Sequence, residues 1–600
     1  MSVRRVSALA LLALAMLLEM SCGDVYRPVV LPINPTPPSP SNFHAVFAFT
    51  NNVPYNSGAA FQIDVSGDTN IGQANMGVNP THAAILPTNN RVFVASAGSL
   101  YPGVADVVTS FIPAGSSIIG TGLGNPTTFT FPNVGPIGPG GSPAWSCSYL
   151  PDFVATTQST TAFVANYGVD NDPACQPNLS STDSVAALSV SSSSISNITY
   201  LPAGSHPVAM AETPDAQHLY VANQGNGTVV EISPADLSIK NTILVGNVPV
   251  WVVARNDNQR IYVLTQGDGN LVSIDTATDT ILSTQSVGAG ANFILFDPHL
   301  NRLYVTNPTT GTLYIFKATG GPNDTPSPMA TIVMNAGVNP PCAAACSPVS
   351  VAALQDGSRF YVASYATEAA CSDVNVGTTV PCIIPMLTVF DALSMTPKQP
   401  TSNLLAPSNS LPLLTSPQFA ASQYAVSPVA SCAPASSYAP GTTRFRMFAT
   451  AAADSSHVYV SICDAGAIAD VRTVTSTITT GGNNQPDVLI TDLLAPLGSC
   501  SGATCSSVAT ITSYSVASNV VTFQAVNNFI PGARVAISGL TSTEGAQMNS
   551  QTLTVLATGL SGTQFECNVS GLADIGSTID AGTAVPISPP QAPIFLLTGQ

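Results

Sequence analysis

Charged residues are scarce in this sequence. Lys, Arg, Asp and Glu together make up only 8% of its 600 residues. Lys and Arg number 15 against 32 Asp and Glu, so the formal net charge is −17. Nucleic-acid phosphates are bound by clustered Lys and Arg, and this composition therefore argues against a nucleic-acid partner. An acidic surface of this kind mainly keeps a protein soluble.

Motifs for catalysis and metal binding are missing as well. The sequence has no Gly-x-Ser-x-Gly turn, no His-Glu-x-x-His helix, no phosphate-binding glycine loop and no Cys-x-x-Cys pairs at zinc spacing. Asp170 and Asp172 alternate as in calcium loops, but the downstream bidentate Glu and the fixed Gly are lacking. We therefore predict no catalytic residues, no metal and no cofactor.

Long hydrophobic runs are also lacking. Beyond the N-terminus no segment has 18 uninterrupted apolar residues, so no membrane-spanning helix is predicted. The N-terminus itself has the pattern of an export signal, because Arg4 and Arg5 precede an apolar stretch, 8–18, that is too short to span a bilayer.

Cys22 follows this stretch and is flanked by small residues. The pattern resembles a bacterial lipoprotein signal, in which the cysteine becomes the lipidated first residue. It departs from that family at Glu19, where Leu is usual. The resemblance implies a lipid anchor at Cys22, and an ordinary secretory signal is the alternative.

Cysteine usage agrees with export, because disulfides persist in oxidising compartments. Several of the 12 cysteines form near-neighbour pairs within loops, and others suit longer-range pairing. The sequence alone leaves the connectivity open. The pairs we consider are Cys342–Cys346, Cys371–Cys382, Cys500–Cys505, Cys147–Cys175 and Cys432–Cys463, which leaves Cys567 over.

What the sequence does contain is a repeat. Tyr220, Tyr262 and Tyr304 lie 42 residues apart, each in an apolar strand that is followed by a short turn and a second alternating run. A repeat of about 40–45 residues with several short strands is the signature of a propeller blade. Eight copies of this aromatic-Val strand can be traced, at 44–52, 91–96, 161–168, 218–223, 260–265, 302–307, 359–364 and 457–462.

The third central copy contains Tyr-Val-Thr-Asn intact at 304–307, and Tyr-Val-Ala-Asn at 220–223 and Phe-Val-Ala-Asn at 163–166 are close variants. The sequence resembles the bacterial YVTN β-propellers. The resemblance implies an all-β propeller of four-stranded blades, A to D from the centre outwards, with the aromatic-Val strand as B. The repeat count gives eight blades, and the seven usual in the family are the alternative.

The propeller is flanked by other segments. For ring closure we expect the strand that begins at Pro486 to complete the blade that begins at His44, with the strand at Pro593 as its rival. The predicted organisation is a signal peptide (1–21), a Pro-rich tether (22–42), the propeller (43–498), a small β-barrel or sandwich-like module (499–589) and a tail (590–600) that is a possible closing strand.

The histidines give no strong site. His44, His218 and His457 share one repeat position just before strand B, where other copies have Arg, so we interpret them as structural. His82 and His206 lie at the start of strand A, near the central channel. No acidic residue recurs beside them, so we predict no metal there.

Loop length is more informative than these motifs. The extra length falls on the face that carries the B–C and D–A turns, at 136–143, 168–183, 336–347, 366–384 and 392–443. Function concentrates where a rigid scaffold carries elaborated loops. The candidate binding residues on this face are Tyr167, Asp170, Asp172 and Tyr365.

These observations favour a non-catalytic binding or scaffold protein, lipid-anchored at the bacterial outer membrane or cell surface, with a protein or glycan as partner. The periplasm and secretion are alternative locations. The alternative function is a lactonase-like hydrolase, since some propellers of related sequence resemble lactonases with polar or metal sites at the channel mouth. The scarcity of channel-facing carboxylates favours binding.

Overall fold

A computed structural model shows an almost entirely β-sheet protein. Within the described residues there are eight four-stranded antiparallel sheets and one six-stranded sheet. The structure describes residues 45–51, 57–65, 69–87, 91–100, 104–113, 124–132, 147–156, 161–175, 179–189, 194–335, 346–369, 381–398, 410–413, 425–426, 428–435, 437–473, 488–489, 509–527, 534–549, 551–556, 559, 561, 563–569, 571–587 and 592–599.

Each four-stranded sheet is one propeller blade, and strands A to D follow one another from the centre outwards. Blade 1 contains β1 (Ala45–Asn51), β2 (Ser57–Asp64), β3 (Thr69–Val78) and, as strand A, β38 (Ala592–Thr598). The others are, in order from A to D, blade 2, β4–β7 (Pro80–Ile85, Val92–Ser96, Val107–Ile112, Gly124–Thr130); blade 3, β8–β11 (Pro151–Thr156, Thr161–Asn166, Ser184–Ser189, Ser194–Tyr200); blade 4, β12–β15 (Pro207–Glu212, Leu219–Asn223, Thr228–Ile232, Ile239–Leu244); blade 5, β16–β19 (Pro249–Ala254, Arg260–Thr265, Asn270–Asp275, Thr280–Ser286); blade 6, β20–β23 (Phe293–Asp297, Arg302–Asn307, Thr312–Gly320, Pro326–Val333); blade 7, β24–β27 (Ser347–Ala353, Arg359–Glu368, Cys382–Asp391, Ser410–Pro412); and blade 8, β28–β31 (Met447–Ala451, His457–Ile462, Ala467–Arg472, Val488–Leu489).

The predicted β-propeller of eight blades is therefore confirmed, and the seven-blade alternative is wrong. All eight aromatic-Val segments form strand B of a blade. In five blades every residue of strand B is buried. A strand packed on both faces is apolar throughout, and this is why these segments read as continuous hydrophobic runs.

Two of the three Tyr residues at the 42-residue spacing, Tyr220 and Tyr262, tie one blade to the next. The Tyr220 hydroxyl donates to Asp279 Oδ1 of blade 5 at 2.8 Å, and the Tyr262 hydroxyl donates to the carbonyl of Ala318 in blade 6 at 2.8 Å. The terminal Asn307 of the YVTN segment donates to the Gly288 carbonyl in the preceding D–A turn at 2.9 Å. The motif thus supplies inter-blade and turn contacts rather than a ligand site.

The expected closing strand is wrong. Val488–Leu489 pairs with β30 as strand D of blade 8, whereas β38 pairs with β1 and supplies strand A of blade 1. The segment at 488–489 follows strand C of its own blade, so its pairing closes a shorter loop than pairing with β1 does. The inner strand β38 packs against β28 on one side and β4 on the other, which closes the ring.

Strand A begins with a recurrent β-bulge. In five blades the ladder to strand B skips one residue after a Pro that is the first or second residue of strand A. A bulge bends the strand and redirects the side chain at that position. The skipped residues are Thr81, Asp152, Val208, Val250 and Val349.

The C-terminal module is a six-stranded sheet in the order β35-β34-β37-β32-β33-β36. A backbone bridge from Val555 to Cys567 joins its two edges, so the sheet curls into a small barrel around a core of its own. Its elements are β32 (Ala509–Ala517), β33 (Val520–Ala525), β34 (Arg534–Ser538), α1 (Thr543–Met548), β35 (Thr552–Thr554), β36 (Gln564–Asn568) and β37 (Ile575–Ile587).

Helices are few and short in the described residues. Besides α1, there are three 3-10 turns, at Gly98–Leu100, Ala430–Cys432 and Cys463–Ala465. None of the described helices has the length and apolar character needed to cross a membrane.

Candidate functional site at the channel mouth

The centre of the ring is closed by aromatic side chains. The Trp251 ring of blade 5 lies 6.4 Å from His82 of blade 2, 5.7 Å from Phe153 of blade 3 and 5.2 Å from Phe293 of blade 6, measured between centroids. Contacts between blades that are not neighbours mean that these rings meet across the channel. We call this set the aromatic layer: His82, Phe153, Trp251, Phe293, Phe445, Phe448 and Phe595.

A long connection between blades 7 and 8 lies over the aromatic layer. We call residues 425–446 the strap, except Phe445, which belongs to the aromatic layer; positions 427 and 436 lie outside the described residues. Its near end is fixed by backbone hydrogen bonds between Val426 and Ile383, of 2.9 and 3.0 Å, and by the disulfide Cys432–Cys463. The predicted long D–A loop at 392–443 contains most of this segment.

The far end of the strap reaches blades 3 and 4. The Tyr438 hydroxyl donates to Asp152 Oδ1, and Arg444 Nη2 donates to Asp152 Oδ2 at 2.7 Å. Arg444 Nη2 also donates to the carbonyl of Val208 at 2.9 Å. Because blade 4 lies opposite blade 8 in a ring of eight, the strap crosses the whole channel mouth.

The guanidinium group of Arg444 lies among aromatic faces. Its central carbon is 4.1 Å from the centroid of the Tyr438 ring, 5.5 Å from that of Trp251 and 5.9 Å from that of Phe153. The Asp152 side chain beneath it is 0% exposed. Charge-assisted hydrogen bonds and cation–π contacts therefore act together at this point.

One of the hydrogen-bond donors of Arg444 is nevertheless without a partner among the described residues. Its Nη1 atom is buried and has no hydrogen-bond partner among the described residues. Arg444 also lines a cavity of about 20 Å³, which has room for about one water molecule. The cavity is lined by Asn51, Asn79, Pro80, Thr81, His82, Tyr438, Thr442, Thr443, Arg444, Phe445, Ile594 and Phe595.

Burial sets the protonation of the two titratable groups below the strap. Desolvation raises the pKa of Asp152 to about 6, and the nearby Arg444 charge and the Tyr438 hydroxyl oppose the rise. Desolvation, reinforced by the Arg444 charge, holds the pKa of His82 well below its usual value. At neutral pH the mouth therefore contains an Asp152 carboxylate, an Arg444 guanidinium and an uncharged His82.

The rim beside Asp152 is built from the B–C loop of blade 3. The Tyr167 ring stacks on the His206 imidazole, with centroids 4.4 Å apart. His206 Nδ1 lies 3.0 Å from the Tyr167 carbonyl and 3.5 Å from Asp183 Oδ1, and Nε2 lies 3.9 Å from Asp170 Oδ2. The Asp183 carboxylate, more than the opposing burial, raises the pKa of His206 to about 8.

Two of the four predicted binding residues, Tyr167 and Asp170, thus come together at this rim. Asp172 does not join them, because its carboxylate accepts from the backbone N–H of Ser148 and of Ala174 at 3.1 and 2.9 Å. Tyr365 lies under Arg446, whose guanidinium carbon is 5.1 Å from the ring centroid.

Asp152, Tyr438 and Arg444 are not among the residues predicted from the sequence. Asp152 has a sequence signal, because it is the acidic residue after the Pro of the Pro-x step that opens strand A, where other blades have Val208 or Val250. Alignment of the repeats on that step would have singled it out. No repeat contains the strap, so no comparable signal exists for Tyr438 or Arg444.

The histidines take separate roles. His82 is stacked on Phe153 with centroids 3.7 Å apart and accepts a 3.3 Å hydrogen bond from the Val154 N–H through Nδ1. At the repeat position, His218 Nδ1 lies 2.5 Å from Glu231 of the neighbouring strand. His44 lies outside the described residues. In the described part of the chain no group of three His, Cys, Asp or Glu side chains is arranged to hold a metal ion.

The structure contains two of the disulfides considered above, Cys147–Cys175 and Cys432–Cys463, both on the face of the B–C and D–A loops. Cys346 and Cys382 are disulfide-bonded as well, and Cys567 is a buried free thiol in the module. Four of the other cysteines considered above lie outside the described residues, and so does the predicted lipidation site: Cys342, Cys371, Cys500, Cys505 and Cys22.

Comparison with known proteins shows no family for this chain. No family model matches the chain, and no curated protein matches it. Solved structures with a similar fold include the periplasmic gluconolactonase PpgL of Pseudomonas aeruginosa, 16% identical with a TM-score of 0.41 over 59% of this chain and 94% of that chain. A protein from Lactobacillus plantarum is 15% identical, with a TM-score of 0.39 over 59% of this chain and 94% of that chain. Hydrazine synthase of Kuenenia stuttgartiensis is 13% identical, with a TM-score of 0.36 over 54% of this chain and 77% of that chain.

Proposed function

We propose that this chain is an exported β-propeller, held to a bacterial membrane by a lipid on Cys22, that acts as a non-catalytic binding or scaffold protein at the cell surface. Its partner is a protein or a glycan, which docks on the face that carries the B–C and D–A loops. This face carries the rim residues Tyr167 and Asp170 and the strap.

One observation carries the proposal. The channel mouth, where a propeller can hold a substrate, is filled by side chains of this chain. Among the described residues the aromatic layer closes the channel, the strap covers it, and the cavity beside Arg444 is about 20 Å³. Small-molecule sites usually enclose about 300–1,000 Å³. A partner that contacts the outer loops needs no such volume.

A lactone hydrolase places polar groups around an open point where the ester can enter. Here the buried carboxylate at the mouth, Asp152, has both oxygens paired, with Tyr438 and with Arg444. Export is supported by the disulfides Cys147–Cys175 and Cys432–Cys463, because such bonds persist outside the reducing cytosol.

Site-specific photo-crosslinking in intact cells tests the face. A crosslinking amino acid placed at the exposed Asn171, on the proposed face, should give discrete adducts. The same amino acid at the exposed Asp215, on the opposite face, is the control and should give none. Equal crosslinking from both positions would contradict the proposed face. Hydrolysis of a gluconolactone by the purified chain above the spontaneous rate would contradict the proposal that the protein is non-catalytic.

The anchor has a separate test. Growth with a radioactive fatty acid should label the wild-type chain and leave the Cys22→Ala variant unlabelled. Unchanged labelling of the variant would remove the lipid from the proposal.

A further inference from the structure

We infer that the channel mouth is a recognition pocket for a basic side chain of a protein partner, and that Arg444 of the strap occupies this pocket in the free protein. The inference rests on the proposed function, because it names the chemical group by which the proposed face recognises its partner. The ligand class is a guanidinium or ammonium group presented by a polypeptide.

The pocket has the composition that such a cation requires. A buried carboxylate, Asp152, forms its base, and the faces of Trp251 and Phe153 form its walls at 5.5 and 5.9 Å from the bound guanidinium carbon. A carboxylate and aromatic faces around one point stabilise a positive charge and offer little to a neutral or anionic group. The Val208 carbonyl adds a second acceptor.

The present occupant belongs to the strap and not to the ring. All the pocket groups that hold Arg444 from the ring lie on strand A of blades 3, 4 and 5, whereas Arg444 arrives from the connection between blades 7 and 8. A loop segment opens at a lower free-energy cost than a packed strand. Arg444 also leaves its Nη1 without a partner among the described residues, so the strap occupies the pocket with one buried donor unsatisfied, which costs free energy.

The charge of the whole chain fits the same partner. A net charge of −17 attracts polycationic surfaces and repels acidic ones. Net charge alone gives no specificity, however. The test therefore needs variants that distinguish binding in the pocket from attraction of the peptide by the net charge of the protein.

The test is calorimetric titration of the full chain with a hexa-arginine peptide, followed in parallel by tryptophan fluorescence, since Trp251 lines the pocket. Arg444→Ala removes the internal competitor, and we expect its affinity for the peptide to exceed that of the wild type by tenfold or more. Such a factor corresponds to a strap that leaves the pocket free in at most about one tenth of wild-type molecules. Adding Asp152→Asn to Arg444→Ala should remove the gain.

Arg260→Ala is the matched control. Arg260 is also buried and pairs with a carboxylate, Asp275, at 2.7 Å, but it lies at the start of strand B on the opposite face. The control changes the net charge by the same amount and should leave peptide affinity at the wild-type value. If Arg444→Ala and Arg260→Ala bind the peptide equally, the pocket assignment is wrong.

A second variant protects the test if Arg444→Ala does not fold. Tyr438→Phe removes one hydrogen bond that holds the strap to Asp152 and keeps the packing. It should also raise affinity for the peptide, by a smaller factor, and an unchanged or lower affinity would overturn the proposal. If neither variant raises the affinity for the peptide but Asn171 still gives crosslinks, the basic-ligand pocket is wrong and the proposed face stands. If peptide binding depends on Asp152 but Asn171 gives no crosslinks, the proposed face is wrong and the pocket stands.

Discussion

Asp152 shows how one residue can fit the repeat and depart from it. Its backbone follows the bulged start of strand A that four other blades share, and its neighbour Phe153 fills the same aromatic position as Trp251. Its partner Arg444, however, lies 292 residues further along the chain. Local patterning predicts the strand, but it contains no information about a partner at that distance.

The burial of Asp152 has a measurable consequence for stability. Its folded-state pKa of about 6 exceeds the ordinary value of 3.8, so between these values the folded chain holds a proton that the unfolded chain has lost. Stability from this group is present below pH 4 and declines as the pH rises through 6. We expect the unfolding free energy of the wild type, relative to Asp152→Asn, to fall by about 2–3 kcal/mol between pH 4 and pH 7.

Urea denaturation of both proteins across this range measures the difference. Asp356→Asn, at an exposed turn on the other face, controls for the loss of one carboxylate. Parallel curves for the wild type and Asp152→Asn would show that Asp152 titrates as an exposed carboxyl does.

At the scale of elements, the eight B strands could be predicted from the sequence and the strap could not. The strands at 260–265 and 302–307 repeat because each packs between two neighbouring blades, and this requirement is the same around the ring. The strap has no counterpart in other blades. Its length and its position on the elaborated face could be predicted from the spacing of the repeats, but its contacts across the mouth could not.

The disulfide Cys432–Cys463 should keep the strap in place. A disulfide stabilises by about 2–4 kcal/mol when it restricts the open states of the segment it closes. In the Cys432→Ser/Cys463→Ser variant we expect faster cleavage within residues 425–446 by trypsin, which has Arg444 available as a site. Cleavage is followed by mass spectrometry.

The Cys147→Ser/Cys175→Ser variant is the control for loss of a disulfide on the same face. It should leave the cleavage rate within the strap unchanged. If the two double variants are cleaved there at the same rate, the strap is held by its other contacts, with Asp152 and Ile383, and not by the disulfide.

At the scale of the whole molecule, the sequence indicated that the first blade lacks a strand A but not which segment supplies it. Two C-terminal segments have strand patterns, at 488–489 and 592–598, and local patterning does not rank them. The choice depends on the complete ring. The segment at 488–489 is used within blade 8, which leaves β38 as the strand that joins the two ends of the chain.

Removal of residues 590–600 should therefore destabilise the entire propeller. It removes two side chains that pack in the core, Phe595 and Leu596, each worth about 1.5–3 kcal/mol when fully buried. It also exposes the β1 edge and takes one ring from the aromatic layer, where Phe595 lies 4.5 Å from Phe448. The loss is comparable with the 5–15 kcal/mol that typically separates folded from unfolded chains, and an exposed strand edge promotes association.

We expect the truncated chain to melt at lower temperature and to elute as aggregates in size-exclusion chromatography. A rearranged chain separates ring closure from loss of the C-terminal module: residues 590–600 are placed before His44 and the chain ends at 498. Strand A of blade 1 then precedes β1 directly, and blade 8 keeps its Val488–Leu489 strand. This chain should be a folded monomer, because the ring is closed without the module. If the truncated chain stays monomeric with unchanged melting, or if the rearranged chain aggregates as the truncated one does, closure by β38 is not what stabilises the ring.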